Sequence, residues 1–162
     1  MENLKLTLLL DEIKNNKNCN IQPPLEGFTS QFKLPEDLQD FYKVCNGVEL
    51  FRNCDYPYRI LGIEELEPIN LLIIGELCPE DISSNWVSIA EDYNGDYLSL
   101  DLSPKKLGWC YDSFHETHGL VGDTPVIAKS FTELLYRLYD NKGDYTYWFK
   151  PEFNHIYGDA YD

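Results

Sequence analysis

The chain has 162 residues, 43% hydrophobic and 14% aromatic, which suffices for one domain with a full core and excludes a disordered chain. Its 13 Lys and Arg stand against 28 Asp and Glu, a formal net charge of −15, so phosphates would be repelled and direct binding to nucleic acid or an anionic membrane is disfavoured. The five cysteines are odd in number and form no Cys-x-x-Cys pair, as expected of a reduced, cytoplasmic protein.

The N-terminal stretch MENLKLTLLLDEIKNNK has acids on both sides of its apolar run and reads as neither a signal peptide nor a membrane span. Leu4, Leu8, Leu9 and Ile13 recur at helical spacing, which predicts an amphipathic helix over residues 3 to 17. NCNIQPPLEGFTSQ reads as a loop, because Pro-Pro and Gly break any helix. LPEDLQDFYKVCNG follows as a second helix. Pro35 suits its first turn, Glu36 and Asp37 suit the positive end of its dipole, and Asn46-Gly47 stops it. Leu34, Leu38, Phe41, Tyr42 and Cys45 form its apolar face.

YRILGIEEL reads as a strand running into a turn, and LLIIGELC as a strand or a buried helix. WVSIAEDYNGDYLSLDL is the clearest hairpin. Asn94-Gly95 can take the positive φ angles of a two-residue type I′ turn. Val87, Ile89, Leu98 and Leu100 are then the core face, with Ser88, Tyr97 and Ser99 opposite. GWCYDSF supplies a third strand of the meander. TPVIA is a short strand leading to Ser130, with Glu133 three residues on as a capping box. Phe131, Leu134, Leu135, Leu138 and Tyr139 are the buried stripe of the last helix. The expected class is α+β, a single domain with an antiparallel β-meander packed against N- and C-terminal helices.

Four of these segments, in order, resemble signatures of the SUKH superfamily, which includes fungal cell-wall synthesis regulators and many bacterial immunity proteins. They are LPEDLQDFYKVCNGVELF, IAEDYNGDYLSLDLSP, GWCYDSFHE and IAKSFTELLYRL, together spanning about residues 30 to 140. The turn here has one Gly where relatives often carry more, and the aromatic, acidic extension 143–162 matches nothing in the pattern. The resemblance implies a sheet backed by helices. It also implies a non-enzymatic binding role, commonly neutralising a polymorphic toxin inside the cell that makes it.

The chemical candidates are weak by comparison. Asp92, Asn94 and Asp96 mimic the start of a calcium loop, but Tyr97 stands where that loop needs Gly and Ser103 where it needs Glu. Cys110, Asp112, His115, Glu116 and His118 could hold a metal only if all converged, and no second ligand pair of standard spacing exists. Ser113 with His115 or His118 has the residue types of a nucleophile and base, without a nucleophile-elbow motif. The acid is more informative. From Ile60 to Pro104 no Lys or Arg occurs, while Glu91, Asp92, Asp96 and Asp101 cluster around the hairpin. A one-signed span builds a field that steers a basic partner.

The expected function is therefore an acidic immunity protein, a monomer or weak dimer without cofactor. Its partner would be a basic protein, such as a nuclease toxin, that it occludes stoichiometrically. Glu91, Asp92, Asp96, Asp101, Asp112 and Glu116 are the candidate contact residues. A regulatory interaction scaffold and a small metal-dependent hydrolase using Asp112, His115 and His118 are the alternatives. The tail carries Tyr145, Tyr147, Trp148, Phe149, Phe153 and Tyr157. That is too much aromatic surface to leave in water, so these residues either pack on the domain or anchor a contact.

Overall fold

A computed structural model describes residues 2–153 and 156–162. Its elements run α1 (Glu2–Lys14), β1 (Cys19–Ile21), α2 (Glu36–Val44), β2 (Val48–Leu50), β3 (Tyr58–Ile60), α3 (Ile69–Ile73), β4 (Trp86–Glu91), β5 (Tyr97–Asp101), β6 (Cys110–Ser113), β7 (Val126–Ala128) and α4 (Phe131–Asp140). Short 3-10 turns lie at Ile63–Glu65, Ile82–Asn85 and Tyr147–Phe149. The seven strands form one antiparallel sheet in chain order, the expected α+β meander enlarged by two edge strands. β1 and β2 are three residues each, too short to show an alternating pattern.

The helices cover one face. Leu6, Leu9, Leu10 and Ile13 of α1 are buried, whereas Leu8 is 59% exposed. The apolar stripe therefore runs one step away from the predicted Leu4-Leu8 line; the side chain of Leu4 lies outside the described residues. α2 buries Leu38, Phe41 and Tyr42, and α4 buries Phe131, Leu134, Leu135 and Leu138. The Phe41 and Phe131 rings meet edge-on with centroids 4.7 Å apart. Asp37, in the first turn of α2, accepts hydrogen bonds from the Thr132 amide (2.9 Å) and hydroxyl (2.8 Å) and ties α2 to α4. Ser130 Oγ caps α4 by accepting from the Glu133 amide at 3.0 Å, and Glu133 reaches back to the Lys129 amide. At Gly47, where φ is +107°, an added Cβ would sit 2.5 Å from the Ile60 carbonyl oxygen, so glycine alone fits between β2 and β3.

The hairpin differs from a two-residue turn. Positive φ occurs at Tyr93 and Gly95, and the loop closes through the Asp92 amide to the Asp96 carbonyl. The observed register sets Ala90 opposite Leu98 and Glu91 opposite Tyr97. A type I′ turn on Asn94-Gly95 would set Glu91 opposite Leu98, on the face that must be apolar. A bulge at Ile89 then restores Val87 against Leu100. Val87, Ile89, Leu98 and Leu100 join Leu34, Leu38, Phe41, Phe131, Leu134 and Leu138 in one core cluster.

The second face of the sheet is also covered. LLIIGELC forms most of α3 and the turn after it, and it is not buried as either sequence reading required. Ile69 and Asn70 point inward, while Leu71, Leu72, Ile74 and Leu77 are exposed. Ile69, Trp86, Tyr111, Val126 and Ala160 make a second small core, with Trp86 stacked on Tyr111 at 4.1 Å. The tail packs back on the domain through Tyr147, Trp148 and Phe153. Leu100 is fully buried between strand and helices, and Leu100→Ala should cost about 2–5 kcal/mol by cavity formation in denaturant melts. A loss below about half a kilocalorie would contradict this packing.

Candidate functional site

The end of the sheet holding the β4–β5 loop opens into a cleft of about 690 Å³. Its chemistry follows from alternation along β6. Cys110 and Asp112 point to the helix side, and Tyr111 and Ser113 to the other. Asp112 thus emerges next to Leu98 where the helices end and the tail begins. The tail's 3-10 turn lays Trp148 over it, and the indole Nε1–H donates to Asp112 Oδ2 at 3.1 Å. The Phe114 amide donates to Oδ1, also at 3.1 Å.

Among the described residues, five carboxylates line the cleft, those of Asp55, Asp92, Asp96, Asp112 and Asp123, with no Lys, Arg or His. The walls are aromatic: Tyr56, Tyr58, Tyr97 and Phe114 from the domain, and Tyr145, Trp148 and Phe149 from the tail. Tyr145 is 46% and Phe149 50% exposed, so the tail both packs on the domain and presents a surface. Asp112 is only 7% exposed. Burial, reinforced by Asp96 and Asp92 nearby, pushes its pKa up to about 6, against the pull of the Trp148 and Phe114 hydrogen bonds. Burial and the same three carboxylates push the Tyr58 phenol up as well. Three acids therefore converge on one point.

The predicted contact residues divide by role. Asp92 Oδ1 accepts from the Asn94 (2.8 Å) and Asp96 (3.1 Å) amides and builds the loop. Asp96 Oδ1 accepts from the His115 amide at 3.0 Å and lies 2.8 Å from its Nδ1; that bond raises the His115 pKa. Glu116 is exposed, 3.9 Å from His115 Nε2 and outside the cleft lining. Glu91 pairs with Arg59 at 3.0 Å, and the same guanidinium holds Glu65 through two bonds of 2.8 and 2.7 Å. Asp101 is buried away from the cleft, accepting from the Tyr111 hydroxyl at 2.6 Å and the Ser103 amide at 2.8 Å. The structure brings Asp92, Asp96 and Asp112 together and leaves Glu91 and Asp101 in other bonds. The tail rings Tyr145, Trp148 and Phe149 were legible as contact anchors, whereas Asp55, Asp123, Tyr56 and Tyr58 were missed because segments far apart in sequence bring them to the cleft.

The metal and nucleophile candidates diverge. Cys110 is in the main core, Asp112 faces the cleft, His115 is at the surface, and His118 lies across the sheet. Among the described residues no group of three or more His, Cys, Asp or Glu is placed to hold a metal ion. His118 does bond Ser113, with Nδ1 3.1 Å from Oγ, and its Nε2 lies 2.6 Å from Asn70 Oδ1. The Asn70 amide nitrogen donates to Ser83 and to the Leu77 carbonyl. Asn70 Oδ1 is thus left to accept from Nε2–H, and Nδ1 to accept from Ser113. Ser113 is 0% exposed, so no substrate carbonyl reaches Oγ. This chain of bonds locks α3 onto the sheet. Burial keeps the His118 imidazole below its ordinary pKa and neutral.

Comparison with known proteins places this geometry. The profile of the SMI1/KNR4 family (SUKH-1) matches residues 27–137. The chain belongs to the SUKH-1 family. It is also 42% identical, over 98% of its own length and 97% of the relative's, to Immunity protein YokJ of Bacillus subtilis (strain 168). No solved structure matches it. The SUKH-1 match ends inside α4, so the tail that closes the cleft lies beyond the matched region.

The raised pKa of Asp112 has a thermodynamic consequence. In the folded SUKH-1 domain this carboxyl holds its proton to higher pH than in the unfolded chain, so ionising it costs stability between about pH 4 and 6. Asp112→Asn removes that cost while forfeiting one accepted bond. Relative to wild type, the variant should gain stability as pH rises through this window, by up to roughly 3 kcal/mol. Paired denaturant melts at pH 4 and 7 measure the gain, and a difference independent of pH would contradict the burial of an ionised Asp112.

Proposed function

We propose that this protein is an immunity protein, which binds and neutralises a toxin of the cell that makes it. The near end-to-end 42% identity to Immunity protein YokJ carries the reading, and membership of SUKH-1 supports it. The mode of action is stoichiometric occlusion in the cytoplasm, without a covalent step or cofactor. The acid–aromatic cleft suits it: charged groups steer and register a partner, and aromatic side chains are the commonest anchors of interfaces. Five carboxylates without a cation among the lining residues select a basic surface. A nuclease toxin has such a surface, since its own site must attract phosphates. Among the described residues no helix is long and apolar enough to cross a membrane, so a freely diffusing complex needs no insertion step.

Co-expression with a toxin domain of the kind such immunity proteins neutralise, taken from the neighbouring reading frame, tests the reading. Growth should be restored by the wild-type protein, and the two chains should co-purify one to one. Continued toxicity with no complex would overturn it. Rim charge should act on association. Asp92→Asn, Asp96→Asn and Glu116→Gln together keep the hydrogen-bond acceptors of the loop and remove three charges. Association should slow roughly tenfold at low salt, and the gap should close near 1 M, where the Debye length falls to about 3 Å. Surface plasmon resonance at two salt concentrations reads this, and an unaltered rate at low salt would show that the acids only solvate the surface.

A further inference from the structure

The cleft has more structure than an acidic surface requires. Asp112 stands at its inner end, held on both oxygens by single hydrogen bonds from Trp148 Nε1 and the Phe114 amide. A carboxylate offers about four acceptor sites, so each oxygen keeps capacity for another donor. Asp96 uses only Oδ1, for His115, and Oδ2 has no partner among the described residues. Thr146 lines the same cleft, and its hydroxyl oxygen is buried without a hydrogen-bond partner among the described residues. Acceptor capacity therefore exceeds the donors that the described lining residues supply, and none of those residues is Lys, Arg or His.

The walls narrow the kind of cation. Phe114, Tyr145 and Phe149 are exposed aromatic rings that line the cleft. A guanidinium is planar and weakly hydrated, stacks on aromatic faces and presents five donors in a fixed fork. An ammonium is compact, strongly hydrated and carries three donors on a point charge. Several carboxylate acceptors among exposed aromatic rings match the first.

We propose that the cleft is a receptor for one arginine side chain of the protein partner, the guanidinium lodging among the aromatic walls and donating to Asp96 and Asp112. The partner's being a toxin rests on the immunity reading; the arginine site itself does not. Binding a cation beside Asp112 also offsets the repulsion that Asp96 and Asp92 exert on it. Asp92, Asp96 and Tyr58 face Asp112 from the hairpin loop and β3, and Trp148 from the tail.

The Trp148 indole N–H, bonded to Asp112, is a local reporter, and the chain has only three tryptophans. In a two-dimensional amide NMR spectrum of the full chain, its signal is assigned by its disappearance in Trp148→Phe. N-acetyl-arginine amide at tens of millimolar should shift that signal with saturation. The lysine analogue should bind more weakly, and the neutral citrulline analogue roughly tenfold or more weakly than arginine. Asp112→Asn should abolish the arginine response. No shift with arginine, an equal response to citrulline, or a lysine response as strong as that of arginine would overturn the proposal. Should Asp112→Asn fail to fold, the wild-type comparison of arginine with citrulline still decides. Toxin protection is measured separately. Protection without an arginine response would leave the immunity reading standing and sink this site, and an arginine response without protection would do the reverse.

Discussion

The hydrogen bond from Trp148 to Asp112 is the constraint on which the cleft end of this molecule depends. It joins the last residues of β6 to a tail that begins after the last helix, and it does so at a buried carboxylate. Without the indole, Asp112 would face a hydrophobic edge with a single amide for support. Without Asp112, the indole N–H would be buried without a partner. The pairing makes the tail part of the fold and at once makes it a wall. Tyr147 and Phe153, on either side, bury themselves in the main core, while Tyr145 and Phe149 are left facing outward. The cleft exists because one short turn alternates between these two duties.

The remaining acids show that negative charge in this chain serves several purposes. Asp37 fastens one helix to another. Asp92 folds a loop by accepting backbone amides. Asp101 sits beneath a tyrosine hydroxyl, and Glu65 and Glu91 share a single guanidinium. Asp96 and Asp112 spend part of their capacity on neighbours and turn the rest toward the cleft. A net charge of −15 is thus a sum over unlike roles, and only the unneutralised fraction that converges on one cleft is informative about a partner.

Much of the framework was legible in the sequence. The α2 and α4 stripes, the Ser130 cap and the alternation of Val87 to Leu100 each obey a local period, and local periods survive into the fold. What failed to show depends on distant partners. Leu8 and Leu6 offer two equivalent apolar lines along α1, and only the sheet beneath chooses between them. The hairpin register turns on keeping Glu91 off the core face, which outweighs the local preference of Asn-Gly for a tight turn. LLIIGELC is apolar enough to suggest burial, yet α3 is a single short helix with one inward side, so half its residues must face out. The cleft was the least legible part. Its acids at the hairpin are visible as a cluster, but Asp55, Asp123, Thr146 and Trp148 come from other loops, and no spacing rule links them.

The tail lies beyond the residues that match the family profile, and its outward rings touch the cleft instead of the helix–sheet core. Tyr145 and Phe149, about half exposed, can therefore be replaced without opening the core, whereas replacing Trp148 removes a buried ring and the donor to Asp112. The rim of the cleft can thus be altered one ring at a time. The scaffold that holds the charge stays fixed, so the two halves of the cleft are free to evolve at different speeds.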